Sequence, residues 1–255
     1  MSSDEQIAQV AARLRSARRV VALTGAGIST ESGIPDFRGP EGVWTKNPGA
    51  EKLSTLQHYM GDVEVRRRAW QARLQHEAWD ARPNAGHMAL VRLEARGQLE
   101  TLVTQNIDGL HQRAGNSVQR IVEIHGTIHD VVCMRCGDRR PMQTALERVR
   151  NGEDDPACLG CGGILKSATI SFGQALVAAD LCRAELAARA CDLLLAVGSS
   201  LSVFPIAGLV PLAKQSGAQV VIMNGMATDM DAIADVVAHG PLGSLLPRVL
   251  EESEA

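Results

Sequence analysis

The sequence lacks an excess of positive charge and a long apolar run, and we expect it to carry no secretory leader. Its 26 lysines and arginines are outnumbered by 29 aspartates and glutamates, and the net charge of −3 offers no electrostatic footprint for nucleic acid. No apolar run reaches the roughly 18 residues that a membrane-spanning helix needs. The N-terminal segment carries Asp4 and Glu5 and resembles an ordinary amphipathic helix, not a signal or transit peptide. We therefore expect a cytoplasmic monomer without nucleic-acid or membrane partners.

Several short runs of β-branched residues or leucine end in glycine, serine or asparagine, which is typical of strands. They lie at 19–24, 100–105, 168–172, 192–197, 219–224 and 235–239. Segments with helical spacing, such as 88–94 and 178–190, alternate with them. Strands that are apolar throughout and alternate with helices predict an α/β fold with a doubly wound, Rossmann-like parallel sheet.

Two stretches interrupt this alternation. Residues 39–83 hold four of the seven aromatic residues and predict loops and helices, whereas residues 131–165 hold four of the six cysteines. We predict a Rossmann-like domain formed by 1–38, 84–130 and 166–255. The helical cofactor-loop insertion 39–83 and the zinc-ribbon insertion 131–165 would then form one small lobe.

The cysteine spacing indicates a metal site. The pairs Cys133-x2-Cys136 and Cys158-x2-Cys161 suit a tetrahedral Zn²⁺ site, and four thiolates leave no position for a reactive water. A structural zinc ribbon is therefore expected. A DNA-binding ribbon is the alternative, but the acidic stretch 153–155 between the pairs argues against it. We expect the remaining two cysteines, Cys182 and Cys191, to be buried and inert.

A glycine-rich turn follows the first predicted strand. Gly25-Ala26-Gly27 after Val20–Thr24 suits a close approach of backbone to a pyrophosphate. The third glycine falls at Gly33 instead of position 30, and no acidic strand end follows about 20 residues later, so an ordinary hydride-transfer enzyme is disfavoured.

The string GAGISTESGIPDFRG, from Gly25 to Gly39, resembles the opening signature of the sirtuins. Four further strings are similar to sirtuin motifs and occur in the family's order. They are TQNIDGLH (104–111), EIHG (123–126), SFGQ (171–174) and GSSLSV (198–203), the last followed by MNG (223–225). The resemblance covers about 20–240, nearly the whole chain, and implies NAD and structural Zn²⁺ as cofactors.

The resemblance also implies roles for individual residues. The cofactor would contact residues from each string: Gly25, Ala26, Gly27, Ser29, Asp36, Phe37, Arg38, Gln105, Asn106, Asp108, Gly198, Ser199, Ser200, Asn224 and Gly225. His125 would be the general base, with Asn106 and Asp108 orienting the ribose and a water. A histidine suits this task because its unperturbed pKa lies near 6.5. The motif does not select His129.

The substrate side is implied less completely. Ile170, Phe172 and Val203 match positions that line an acyl-lysine tunnel, while Gln174 departs from the family's usual glutamate. Trp70-x-x-Arg73 resembles the Tyr-x-x-Arg pair of desuccinylating sirtuins, so Arg73 could bind an acidic acyl group. The alternative is that Trp70 belongs to a helix core and Arg73 faces solvent.

We therefore expect NAD-dependent removal of acyl groups from protein lysines, giving nicotinamide, 2′-O-acyl-ADP-ribose and free lysine. Acylated-lysine proteins would be the partners. Two alternatives stay open: protein mono-ADP-ribosyl transfer in the same NAD pocket, and a non-enzymatic NAD-sensing module. The sequence leaves the preferred acyl group and the protein targets undecided.

Overall fold

The computed structural model describes residues 3–40, 42–47, 49 and 54–254. Its strands are β1 (Val20–Thr24), β2 (Leu99–Thr104), β3 (Ile121–Glu123), β4 (Gly126–Cys133), β5 (Arg139–Pro141), β6 (Leu165–Thr169), β7 (Leu193–Val197), β8 (Gln219–Asn224) and β9 (Val236–His239). Its α-helices are α1 (Ser3–Ser16), α2 (Val43–Lys46), α3 (Leu56–Gly61), α4 (Val63–Leu74), α5 (Ala85–Ala95), α6 (Leu110–Ala114), α7 (Met142–Arg150), α8 (Ala178–Ala190), α9 (Leu209–Gln215) and α10 (Leu242–Glu254). None of the helices in these ranges is both long and apolar enough to cross a membrane.

The larger sheet has six parallel strands in the order β3-β2-β1-β7-β8-β9. Every residue of β1 and of β7 is buried, as expected for strands covered on both faces. Apolar side chains of α1, α5 and α10 pack on one face, and those of α8 and α9 pack on the other. The doubly wound α/β fold predicted from the sequence is therefore confirmed.

Helix α1 shows how the sequence produces this packing. Ile7, Val10 and Leu14 recur at helical spacing and are fully buried, while the residues between them are mostly exposed. Asp4 and Glu5 lie in the first turn, where negative charge favours the helix dipole, and arginines lie in the last turn. Burial of each large apolar side chain contributes about 1.5–3 kcal/mol relative to exposure.

The smaller sheet is antiparallel, in the order β5-β4-β6. A strand at 168–172 in the parallel sheet was predicted, and that prediction was wrong. The strand found there is β6, Leu165–Thr169, and it pairs with β4 of the small sheet. Leu165 faces the core of the small lobe, and the chain then bends so that Phe172 pairs with the segment around Thr55. Of the six strands of the large sheet, the prediction missed β3, whose three residues are too short to show a period, and it contained neither β4 nor β5 of the small sheet.

The predicted domain boundaries differ slightly from the extent of this sheet. It begins at Gly126 and ends at Thr169, so it includes residues on both sides of the predicted insertion 131–165. The division into domains itself stays a prediction. Positions 41, 48 and 50–53 of the insertion 39–83 lie outside the described residues, and its described part contains α2, α3 and α4. Cys191 is buried as expected, but Cys182 is exposed on α8, so that prediction was wrong.

Candidate functional site

The switch point of the large sheet lies between β1 and β7, which are neighbours although β2 to β6 intervene in the chain. Open α/β sheets bind ligands at such a point. Gly25 N donates to Val197 O at 3.0 Å, and Gly27 N donates to Gly198 O at 2.8 Å. A Cβ on Gly27 would lie 2.8 Å from Gly198 Cα, so this approach of backbone to backbone requires glycine. Ala26 begins the short 3₁₀ helix that follows.

A buried hydrogen-bond network occupies this edge of the sheet. Asn106 Nδ2 donates to Gly25 O at 3.1 Å and to Ser29 Oγ at 3.2 Å, and Ser29 Oγ donates to Asp108 Oδ2 at 2.7 Å. The second carboxylate oxygen of Asp108 accepts from Leu110 N at 2.9 Å. The structure therefore joins two predicted cofactor segments, 25–29 and 105–108, into one rigid arrangement.

The predicted cofactor residues after β7 and β8 extend this edge. Gln105 Nε2 donates to Ser199 Oγ at 2.8 Å, which links the loop after β2 to the turn after β7. Asn224 ends β8, the next strand, and its side chain donates to Met226 O at 2.8 Å. Gly225 follows it, and Ser200 contacts the hydroxyl of Ser202 at 2.8 Å. All four predicted segments thus lie at the carboxyl ends of adjacent parallel strands.

His125 lies directly beside this network. Its Nδ1 is 3.0 Å from Gln105 O, and a carbonyl oxygen only accepts, so Nδ1 carries the proton. In the neutral ring Nε2 is then the basic nitrogen. Burial lowers the pKa of His125 below its ordinary value, and the hydrogen bond to Gln105 O partly opposes this shift. The imidazole is consequently neutral, and able to accept a proton, at neutral pH.

Two further histidines lie under the network, and neither is among the site residues predicted from the sequence. His87 Nε2 is 3.5 Å from Ser29 Oγ, and its Nδ1 accepts from Asn84 N at 3.3 Å. His111 Nε2 is 3.0 Å from Thr24 Oγ1. Burial lowers the pKa of His87 to about 4 and that of His111 to about 3. His111 belongs to the TQNIDGLH string, which could have identified it, whereas no motif contains His87.

Aromatic contacts connect the predicted cofactor loop to the segment that carries Phe172. The Phe37 ring is half exposed, and its centroid lies 4.9 Å from that of Trp44, which lies 5.5 Å from that of Phe172. The Arg38 guanidinium lies 4.6 Å from the Trp44 ring centroid. Asp36 accepts from the backbone of the same loop through Oδ1 at 2.9 Å. No sequence motif contains Trp44, although it is one of the four aromatic residues in 39–83.

The predicted substrate residues lie on separate segments. Phe172 N donates to Ser54 O at 2.8 Å, which ties the SFGQ segment to the helical insertion. Ile170 N donates to His125 O at 2.7 Å, so the backbone of Ile170 lies directly against that of His125. Val203 lies in the turn after β7, where its carbonyl accepts from Ala207 N at 2.9 Å.

Arg73 lies inside the small lobe instead of pointing freely into solvent. It donates to Ser167 Oγ at 3.2 Å and to Tyr59 Oη at 3.5 Å. Its guanidinium is 4.9 Å from the ring centroid of Trp70, which is completely buried in the lobe's core. The neighbouring Lys166 is also buried, and burial followed by the charge of Arg73 lowers the pKa of Lys166 to about 7. Within the described ranges no carboxylate lies within 4.0 Å of either cation.

The four paired cysteines converge at one point of the small lobe. The Sγ atoms of Cys133, Cys136, Cys158 and Cys161 all lie within 4.8 Å of one another. Two of the separations are 3.4 Å and 3.8 Å, close to the distance of about 3.8 Å that a tetrahedron with 2.3 Å Zn–S bonds requires. Backbone N–H groups of Arg135 and Cys136 point at Cys133 Sγ and favour a thiolate. The residues fit a closed, structural Zn²⁺ site.

A switch point with paired glycine turns, together with a four-thiolate centre in an attached lobe, defines a dinucleotide-binding α/β protein with a zinc module. The Sir2 family sequence model matches residues 25–205, and the chain belongs to the Sir2 family. It is 50% identical over 231 residues to NAD-dependent protein deacetylase 2 of Streptomyces coelicolor, covering 91% of this chain and 96% of the relative.

Solved structures agree with this assignment. A structure from work on the mechanism and regulation of Sir2 enzymes has a TM-score of 0.90 at 36% identity and covers 98% of each chain. Sir2 with a p53 peptide and NAD⁺ has a TM-score of 0.86 at 31% identity, covering 100% of this chain and 99% of that one.

Proposed function

We propose that this protein removes acyl groups from lysines of other proteins, with NAD as co-substrate and with nicotinamide, 2′-O-acyl-ADP-ribose and free lysine as products. The observation that carries the proposal is the joining of His125, Asn106 and Asp108 through one loop at the switch point. The names of the relatives support it, since they include a protein deacetylase and a peptide complex with NAD⁺.

Each residue has a defined task in this proposal. NAD supplies an activated ribose carbon, and Gly25, Gly27 and the turn at 198–200 would hold its phosphate and adenosine parts. Asn106 and Asp108 orient the ribose and a water, because their side chains are locked by Ser29. Preorganised dipoles of this kind need no rearrangement during the reaction.

His125 would take a proton from the ribose hydroxyls through Nε2. Its Nδ1–H is committed to Gln105 O, so the tautomer and the ring orientation are both set. The half-exposed Phe37 ring would cover the reacting face and exclude water. The acylated lysine would enter beside Phe172 and Ile170, with Val203 on the opposite turn. The peptide would add as a strand, recognised mostly through its backbone.

The range of acyl groups is a further part of the proposal. Arg73 has only neutral hydroxyls and aromatic rings among its described partners, which supports pairing with the carboxylate of a succinyl-type chain. A helix-core role for Trp70 fits its complete burial at the same time. The cytoplasmic location, the monomeric state and the absence of nucleic-acid and membrane partners stay predictions.

The test is nicotinamide release from NAD with acetyl-, succinyl- and long-chain-acyl-lysine peptides. We expect release that depends on an acyl peptide and falls about 10²–10⁴-fold in His125→Ala, the usual contribution of a positioned base. His58→Gln, which replaces an exposed histidine on α3, is the matched control and should keep the wild-type rate. Release without an acyl peptide would favour ADP-ribosyl transfer instead. NAD binding without any release would favour the sensing module.

A further inference from the structure

His129 contacts the loop 105–109, which carries Asn106 and Asp108 and is called the catalytic loop below. No sequence motif selects His129. Its Nε2 lies 2.8 Å from Asp108 O, and because a carbonyl oxygen only accepts, Nε2 carries the proton and donates. One residue earlier on β4, Ile128 N donates to Ile107 O at 3.0 Å. Two consecutive residues of β4 therefore hold two consecutive carbonyl groups of the loop that carries Asn106 and Asp108.

The next residue of the loop is shaped for this contact. Gly109 has φ +70°, in the left-handed region that favours glycine. A Cβ at Gly109 would lie 2.6 Å from His129 Nε2 and 2.9 Å from His129 Cδ2. Any other residue would be strained and would also displace the imidazole. Gly109 and His129 therefore form a matched pair across the two sheets.

A second contact, with Trp79, restrains the His129 imidazole. The Trp79 ring meets it edge-on, with 5.6 Å between centroids and an interplanar angle of 78°. Trp79 is itself fixed, since its Nε1 donates to Arg73 O at 2.6 Å. The ring of His129 thus has one donor direction, toward Asp108 O, and little freedom to leave it.

The position of His129 on its strand links this contact to the metal centre. β4 contains His129 near its middle and ends at Cys133, one of the four zinc ligands. A zinc ion that orders Cys133 therefore orders the strand from which His129 reaches the catalytic loop. The zinc module belongs to the small sheet, whereas Asp108 lies in the loop that follows β2 of the large sheet, and His129 is a side chain that bridges the two.

We propose that His129 is a positioning residue for the deacylation reaction: it fixes the backbone at Asp108, and thereby the Asp108 carboxylate, from the zinc-bearing sheet. The inference rests on the proposed function for its kinetic consequence. It does not require His129 to touch NAD or the acyl group. A misplacement of about 1 Å in a catalytic group can cost about 10²-fold in rate, so a single hydrogen bond to the loop can have a large effect.

The experiment compares His129→Leu with His129→Gln. Leucine fills similar space without a donor, whereas the glutamine amide nitrogen is the same number of bonds from Cβ as Nε2 of histidine. Asp130→Asn is the matched control, because the Asp130 side chain is next to His129 in sequence but pairs with the exposed Arg139 of β5. The measurements are kcat and peptide KM for nicotinamide release, zinc content, and hydrogen–deuterium exchange of the segment 106–111.

We expect His129→Leu to lower kcat about 10- to 100-fold with peptide KM and zinc content within about twofold of wild type. Exchange in 106–111 should be roughly three- to tenfold faster, the effect of one lost hydrogen bond. His129→Gln should restore both kcat and exchange, and Asp130→Asn should change neither.

Wild-type kcat and wild-type exchange in His129→Leu would overturn the inference. So would equal impairment of the leucine and glutamine variants accompanied by zinc loss, since that pattern indicates a purely structural residue. If the wild-type protein releases no nicotinamide with any acyl peptide, the proposed function fails. The exchange comparison then decides the positioning role of His129 by itself.

Discussion

The two histidines buried beneath the site should make the fold acid-sensitive. His87 and His111 have folded pKa values of about 4 and about 3, against an ordinary value of 6.5, chiefly because burial disfavours the charged ring. The unfolded chain therefore binds more protons than the folded one below pH 6.5, and stability is lost as the pH falls from there toward the folded values. At pH 5 each histidine removes about 2 kcal/mol, and the pair about 4 kcal/mol.

The perturbation that tests this reasoning is His111→Gln, which removes one buried imidazole and keeps a side chain able to bond with Thr24. Urea unfolding at pH 7, 6 and 5 gives the change in unfolding free energy with pH. We expect the slope between pH 6 and 5 to fall by about 1.2 kcal/mol per pH unit, slightly less than the roughly 1.4 kcal/mol of one full proton. Protonation of the zinc thiolates also weakens the fold in acid, but it affects wild type and variant alike.

His58→Gln removes an exposed imidazole and serves as the matched control, with a slope equal to that of wild type. If His111→Gln keeps the full wild-type slope, His111 does not differ in protonation between the folded and unfolded chains, and the reasoning from burial is refuted.

Three other perturbations follow from the geometry. Cys158→Ser should release zinc and lower the melting temperature, because metal binding energy is folding energy; a stable, zinc-free, active variant would contradict this. Gly27→Ala should weaken ADP-ribose binding at least about tenfold in calorimetry, because its Cβ would contact Gly198 and push the turns after β1 and β7 apart. Gly61→Ala, which has open space around it, is the control. If the Gly27→Ala variant binds ADP-ribose as tightly as wild type, the argument is refuted. Burial lowers the pKa of His125, and only the neutral ring accepts a proton, so kcat/KM should stay high at pH 7 and fall only below pH 6.5. An acid limb of the pH profile centred above pH 7 would contradict the role of His125 as general base.

Most of the large sheet could be predicted from local pattern. Strands such as β1 and β7 are apolar at every position because both faces are covered, and this leaves a continuous signal in the sequence. The CxxC pairs likewise carry their chemistry in their spacing, and the four sulfur atoms converge as predicted. The motif strings identified the family. The roles they assign to His125, Asn106 and Asp108 stay predictions until the variants are measured.

Contacts between distant segments left no such signal. The small sheet could not be read from periodicity, because β6 (LKSAT) has a single large apolar residue and is joined to β4 across a long separation in sequence. For the same reason the sequence patterns did not point to Trp44, His87 or His129. Each of them contacts a partner that only folding brings close: the Phe172 ring, Ser29 Oγ and Asp108 O respectively.

The fold class, the metal ligands and the family were thus predictable from local sequence, since these properties depend on residue types repeated at short, regular spacing. Which side chains meet was set by folding. The turns at Gly25 and Gly198 come together because β1 and β7 pair. His129 reaches the backbone of the loop that carries Asp108 because Gly109 leaves room for its ring. Such contacts depend on the relative placement of two sheets, which long-range packing sets and no local pattern encodes.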